Sequence, residues 1–177
     1  MTKDKRSGKV ALVAHCILNQ NSRVLGLAKR SSVITEIVEF LMQNEIGIIQ
    51  MPCPEFTHAG ILRQPQTKDQ YDNVAFRKHC RKIAREIVDQ IQEYAKSGTK
   101  TKIIIGVDGS PSCGVNRIST AKTCRNMAEQ LRVKDSGILI EELHLALTKK
   151  NSSIPFHGIL YERLPKDLVI VERLLKD

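Results

Sequence analysis

Short, β-branched apolar runs alternate with longer amphipathic segments along this chain, and that alternation narrows the folds open to it. Residues 9–15 read KVALVAH, 46–51 read IGIIQM and 102–107 read KIIIGV. Each is nearly continuous in apolar residues and the length of one strand, as strands covered on both faces are. Between the first two, Val33, Ile34, Ile37, Val38, Phe40 and Leu41 recur at helical spacing, with Ser31 or Ser32 available as a cap. Residues 73–97 predict the longest helix, with Ile83, Ile87, Ile91 and Tyr94 as its inner stripe, Ala84 and Val88 beside them, and Gly98 as its stop.

The remaining segments continue the pattern. A short helix is expected within residues 122–132, a fourth strand at 137–140, a fourth helix at 141–149 and a fifth strand at 156–161. A last helix follows Pro165. Residues 55–72 read as a loop, as does the polar stretch after the first strand. Pro52 and Pro54 flank Cys53 and argue against regular structure there. Strand–helix alternation predicts an α/β fold: one three-layer, Rossmann-like domain over residues 1–177 with a mainly parallel sheet, residues 1–8 being flexible. A chain of 177 residues can fill one such core.

The charge balance is basic, with a formal net charge of +9. The basic residues form short separate clusters, around Lys3–Lys9, Lys29–Arg30, Arg77–Arg85 and Lys149–Lys150, which suits solvated helix faces better than one nucleic-acid surface. Aromatic residues are scarce at 4% and Trp is absent, which disfavours a base-stacking platform. No run approaches the roughly 20 apolar residues of a membrane span. Val13-Ala14-His15-Cys16 imitates a lipid-attachment site, but the basic lead-in and short run suit a first strand better. A cytoplasmic, reduced protein is the expectation, with no membrane partner. Oligomeric state is not legible.

The five cysteines are Cys16, Cys53, Cys80, Cys113 and Cys124. An odd count without a secretory signal argues against a disulfide framework. Cys80 and Cys124 fall in helical patterns and read as core residues. Cys16, Cys53 and Cys113 each follow a different expected strand, beside turn-forming residues. In open α/β sheets ligands sit beyond the carboxyl ends of the strands, so three strand ends would deliver three thiols to one crevice. Three thiolates could hold zinc or an iron–sulfur cluster. Zinc would want a fourth ligand or a catalytic water, and His58 is the one histidine near a cysteine in a loop. A cubane held by three cysteines leaves one iron open. Position alone does not choose between them.

Three motifs carry a resemblance. Cys16-Ile-Leu-Asn-Gln-Asn-Ser-Arg-Val-Leu-Gly26, Cys53-Pro-Glu55 and Ser110-Pro-Ser-Cys-Gly114 resemble, in order, the motifs of the DUF523 family, which includes the thiouracil desulfidases. The chain departs from the common pattern at Ser22, where many members carry a second cysteine. It departs again at Ala59-Gly-Ile-Leu-Arg-Gln-Pro65, where GGLPxPR is usual, so it resembles a divergent branch.

The resemblance implies a [4Fe–4S] cluster held by Cys16, Cys53 and Cys113. It also implies non-redox desulfuration of a thiocarbonyl compound, a small thiolated nucleobase-like substrate, with thiolated RNA as a weaker candidate. Such chemistry needs a proton acceptor and donor near the reacting carbon. Glu55, two residues after Cys53, is assigned to activate water or shuttle protons, and Ser110 to position or relay the proton. Both residues have plainer readings, as a loop carboxylate and a turn-forming hydroxyl. Asp108 could replace either, and Ser112 would bond backbone or a cluster sulfide. Two other functions stay open: a cluster carrier or redox-sensing module, and a hydrolase with Cys113 as nucleophile in a glycine-rich elbow.

Overall fold

The computed structural model describes residues 4–120 and 131–176. In chain order the elements are β1 (Lys9–Ala14), α1 (His15–Leu18), α2 (Thr35–Gln43), β2 (Gly47–Met51), α3 (Pro54–Ala59), α4 (Lys68–Tyr71), α5 (Val74–Lys96), β3 (Lys100–Val107), β4 (Ile118–Thr120), β5 (Leu131–Val133), α6 (Ile138–Thr148), β6 (Phe156–Ile159) and α7 (Leu164–Lys176). Four strands form a parallel sheet in the order β2-β1-β3-β6, and β4 pairs antiparallel with β5.

The sheet owes its position to its apolar runs. Ala11, Leu12 and Val13 of β1 and Ile103, Ile104 and Ile105 of β3 are fully buried, as strands covered on both faces must be. Leu12 lies in register with Ile49 on one side and Ile104 on the other. Growth of the sheet reverses after β2: β2 lies on one side of β1, and the chain then crosses to lay β3 on the other. With right-handed crossovers, that reversal puts successive helices on opposite faces. Accordingly α2 packs with β2 and α7, while α5 packs with β3 and α6. The expected parallel sheet between helical layers is present. The reversal also opens a crevice at the carboxyl ends of β1 and β3.

The longest helix follows its sequence signals closely. Asn73 caps α5 by accepting from the Phe76 amide at 3.0 Å, and Gly98 stops it at φ 76°.

Other elements depart from expectation. Residues 137–140 are not a strand: Gly137 is the N-cap of α6, which runs on through the expected fourth helix. Ile138, Leu139 and Ile140 are all buried, so their continuous apolar run shows no helical period. Residues 55–72 are not one loop but hold α3 and α4. The Pro52–Pro54 pair permits a helix because Pro54 occupies its first position, where a missing N–H costs nothing. Cys16 sits in a single helical turn rather than a loop, and α2 starts at Thr35 with no side-chain cap from Ser31 or Ser32. The fifth strand ends at Ile159, and Tyr161–Arg163 is a 3-10 turn. Of the helix expected within 122–132, residues 122–130 lie outside the described residues, and Leu131–Val133 is a strand. Among the described residues, no helix is long and apolar enough to cross a membrane.

Candidate functional site

Three strand ends meet at one cavity of about 390 Å³, lined among others by Cys16, Cys53 and Cys113. Cys16 belongs to the turn of helix that follows β1. Cys53 is the N-cap of α3 after β2, where its Sγ accepts from the Phe56 amide at 3.4 Å. Cys113 lies in the tight turn after β3. All three are free thiols.

Their environment disfavours the thiolate. Burial pushes the Cys16 thiol up, and neighbouring Cys113 adds to the shift. Burial likewise pushes Cys53 up to about 12, with the Glu55 charge adding to it. Cys113 is raised by burial, against a hydrogen bond from Ser110 that lowers it. Three mutually opposed thiols stay neutral until a cation arrives to take them as thiolates.

The turn that holds Cys113 is fixed from several sides. The Ser110 hydroxyl oxygen accepts from the Ser112 amide at 3.3 Å and the Cys113 amide at 3.2 Å. Amides of Ile138 and Leu139, at the start of α6, donate to the Pro111 and Ser112 carbonyls, so the helix end docks directly on the turn. A Cβ at Gly137 would lie 2.4 Å from the Ser112 carbonyl, which is why the helix can come this close only with glycine there.

Asp108 accepts from the Val115 and Asn116 amides, each at 2.9 Å, and packs against Gly158 of β6, where a Cβ would sit 1.9 Å from Asp108 Oδ1. Its carboxylate lines the cavity but is committed to holding backbone, which suits a structural role and not an exchange with Glu55 or Ser110.

Glu55 stands in the first turn of α3 and reaches across to that turn. Its Oε1 accepts from Ser112 Oγ at 2.5 Å and from Ser110 Oγ at 3.1 Å. Ser112 therefore bonds a carboxylate, where backbone or a sulfide was expected. Arg63 Nε lies 3.9 Å from Glu55 Oε2, both side chains being largely buried. Arg63 also donates to the Gly60 and Ser22 carbonyls at 3.0 and 2.8 Å, which ties its loop to the Cys16 segment. Reading the sequence did not single out Arg63. Its one signal was an arginine inside the divergent stretch after Cys53-Pro-Glu55.

The opposite wall was also missed. Arg23 stacks over the Tyr161 ring, 5.0 Å from its centroid, and donates to its hydroxyl at 2.5 Å. Gln20 donates to the same hydroxyl at 3.0 Å. Arg23 and Tyr161 both line the cavity.

The other candidates lie elsewhere. Cys80 is buried in the inner stripe of α5, and Cys124 lies outside the described residues. His58 is on α3, edge-on to Phe76 at 5.2 Å and 5.7 Å from His79. No histidine lines the cavity among the described residues. Nor, among those residues, do three His, Cys, Asp or Glu side chains gather closely enough for one metal ion.

Comparison with known proteins agrees with this geometry. Residues 9–170 match the model of the family described as putative 2-thiouracil desulfurase. The uncharacterized protein MJ0003 of Methanocaldococcus jannaschii is 37% identical over 159 residues, which is 90% of this chain and 89% of the relative. The solved structure of TudS, a [4Fe-4S]-dependent thiouracil desulfidase, shares the fold with a TM-score of 0.53 at 18% identity, covering 93% of this chain and 99% of that one.

Proposed function

This chain belongs to the putative 2-thiouracil desulfurase family, and from that premise we propose that it removes sulfur from a small thiolated heterocycle. Oxygen from water replaces the sulfur, and sulfide is released. The observation that carries the reading is the Glu55 carboxylate, hydrogen-bonded by Ser110 and Ser112, on the wall of a cavity lined by three free thiols.

Cys16, Cys53 and Cys113 would hold a [4Fe–4S] cluster, the cofactor on which the similar TudS protein depends. The donor set fits: three sulfurs, no cavity histidine among the described residues, and thiols that only a cation would ionise. Zinc–sulfur bonds of about 2.3 Å would draw three thiols tightly around one point, and these thiols are not so gathered. When bound, the cluster supplies a soft Lewis-acid iron that suits a soft thiocarbonyl sulfur.

The chain's own residues then manage the water and its protons. Both serine hydroxyls donate to Glu55 Oε1, which leaves Oε2 with lone pairs free to take a proton from the attacking water. Arg63 beside Oε2 favours the ionised carboxylate before that transfer. The C–O bond forms as the C–S bond breaks, and the proton held on Glu55 goes to the departing sulfur. Carbon keeps its oxidation state, so no reductant or oxidant is consumed. A Cys113-nucleophile hydrolase would need a histidine that the cavity, among the described residues, does not offer.

The test is anaerobic preparation with iron and acid-labile sulfide quantified, followed by incubation with thiouracil. Equimolar uracil and sulfide without added reductant are expected. Cluster-loaded protein that releases no sulfide from thiouracil or any other thiocarbonyl compound would move the cluster-carrier function ahead.

A further inference from the structure

The wall opposite Glu55 is built from hydrogen-bond donors alone. Gln20 fixes its polarity. Its Oε1 accepts from the Lys29 amide at 3.0 Å, and its Nε2 donates to the Cys16 carbonyl, so the amide orientation is set by two backbone groups. Nε2 also donates to the Tyr161 hydroxyl at 3.0 Å. Arg23, which can only donate, gives the same oxygen a second hydrogen bond at 2.5 Å.

A phenol oxygen that already accepts twice has only its own proton left to offer. That proton has no acceptor among the described residues. Arg23 keeps further unused N–H groups and has no carboxylate partner among the described residues, unlike Arg63, which lies beside Glu55. The two cavity walls are therefore complementary: acceptors at Glu55, donors at Arg23 and Tyr161.

We propose that the Tyr161 hydroxyl and the Arg23 guanidinium form the specificity subsite that binds the substrate's second carbonyl oxygen, selecting thiouracils over thiopyrimidines that lack it. This rests on the desulfidase reading above and adds the part of the substrate that does not react. A thiouracil carries its thiocarbonyl and its carbonyl on either side of one ring nitrogen. With the sulfur directed at the three thiols, the carbonyl needs donors and no acceptor. A donor-only wall welcomes that oxygen, and a ring without it leaves the polar groups half-buried and unpaired. The aromatic face of Tyr161 is covered by Arg23, so the residue contributes its polar end rather than a stacking surface.

The test crosses substrate against protein. Anaerobically prepared wild type, Tyr161→Phe and Arg23→Lys are each given 4-thiouracil and pyrimidine-4-thione, which differ only in the carbonyl oxygen. Sulfide release gives kcat/KM, and calorimetric titration with the oxo products, uracil and pyrimidin-4-one, gives affinity. Iron content and circular dichroism establish that each variant is folded and loaded.

Wild type should favour the carbonyl-bearing compound by on the order of 10-fold or more in both readouts. Tyr161→Phe should erase most of that preference by weakening thiouracil alone, chiefly through KM. Arg23→Lys keeps the charge but loses the planar fork, and should reduce the preference less. A preference that survives intact in Tyr161→Phe overturns the subsite. So does a wild type that treats both compounds alike. A wild type that releases sulfide from neither overturns the desulfidase reading, and the subsite falls with it.

Discussion

The Ser112 hydroxyl donates to Glu55 Oε1 at 2.5 Å, although 57 positions separate the two residues in sequence. The contact joins the start of α3 to the turn after β3, so the acid/base group and the Cys113 thiol are held in one frame. Glu55→Gln keeps the side-chain volume but removes a basic oxygen from the cavity. Iron and sulfide content should match wild type, while turnover falls by roughly 10²–10⁴-fold, the range for a positioned general acid or base. Both quantities are to be measured on one preparation. Near-wild-type turnover with the cluster intact would remove Glu55 from the mechanism.

The two serines should separate. Ser112 donates to the carboxylate, and its loss leaves Ser110 still donating there. Ser112→Ala should lower turnover, by about 10-fold, without changing iron content, since one buried hydrogen bond is worth about 1 kcal/mol. Ser110 also accepts from the Ser112 and Cys113 amides, so Ser110→Ala leaves buried donors unpaired in the turn itself. Iron content and turnover should both drop in that variant. Equal iron content in the two would show that the turn does not depend on the Ser110 oxygen.

How much of this was legible follows from which interactions are local. The three central strands and α5 could be read because burial on both faces leaves continuous apolar runs, and a long helix repeats its stripe several times. The first turn of α6 could not, because Ile138, Leu139 and Ile140 are covered on every side and lose the helical period. The thiols could be placed at strand ends from sequence because each sits next to its own strand. Arg23, Arg63 and Tyr161 could not, because what brings them to the cavity is packing between segments far apart in the chain. Tyr161 meets Gln20 across 141 positions. Gly137 and Gly158 read as ordinary loop and strand glycines, and their reason appears only when a Cβ is placed against Ser112 or Asp108.

That reason can be tested at Gly158. A methyl group there would fall 1.9 Å from Asp108 Oδ1 and displace the carboxylate that holds the Val115 and Asn116 amides. Gly158→Ala should lower stability by about 1–3 kcal/mol, the usual cost of overpacking, and more if the two amides lose their acceptor. Gly47→Ala is the control: its nearest neighbour, Val10 Cγ1, would be 3.4 Å away, and the change should be within about 0.5 kcal/mol. Denaturant midpoints compare the two. Equal midpoints would mean that Asp108 moves aside freely and does not set the turn.

The cysteines divide into ligands and core, and the division has separate signatures in iron and in stability. Cys16, Cys53 and Cys113 share one cavity at three strand ends, whereas Cys80 lies fully buried in the α5 stripe. Replacing any of the first three by alanine removes a donor that no nearby histidine or cysteine among the described residues can replace, so each variant should lose most of its iron and acid-labile sulfide. Its stability in the iron-free form should change little, because these side chains border open space. Cys80→Ala should do the reverse. It should keep the full cluster and lose about 1–2 kcal/mol, as the removed sulfur leaves a small hole against the sheet. Iron analysis of anaerobic preparations and denaturant unfolding of the iron-free proteins give both coordinates for all four variants. A Cys113→Ala protein that retains its cluster in full would sink the three-thiol assignment, and a Cys80→Ala protein that loses it would move the ligand set into α5.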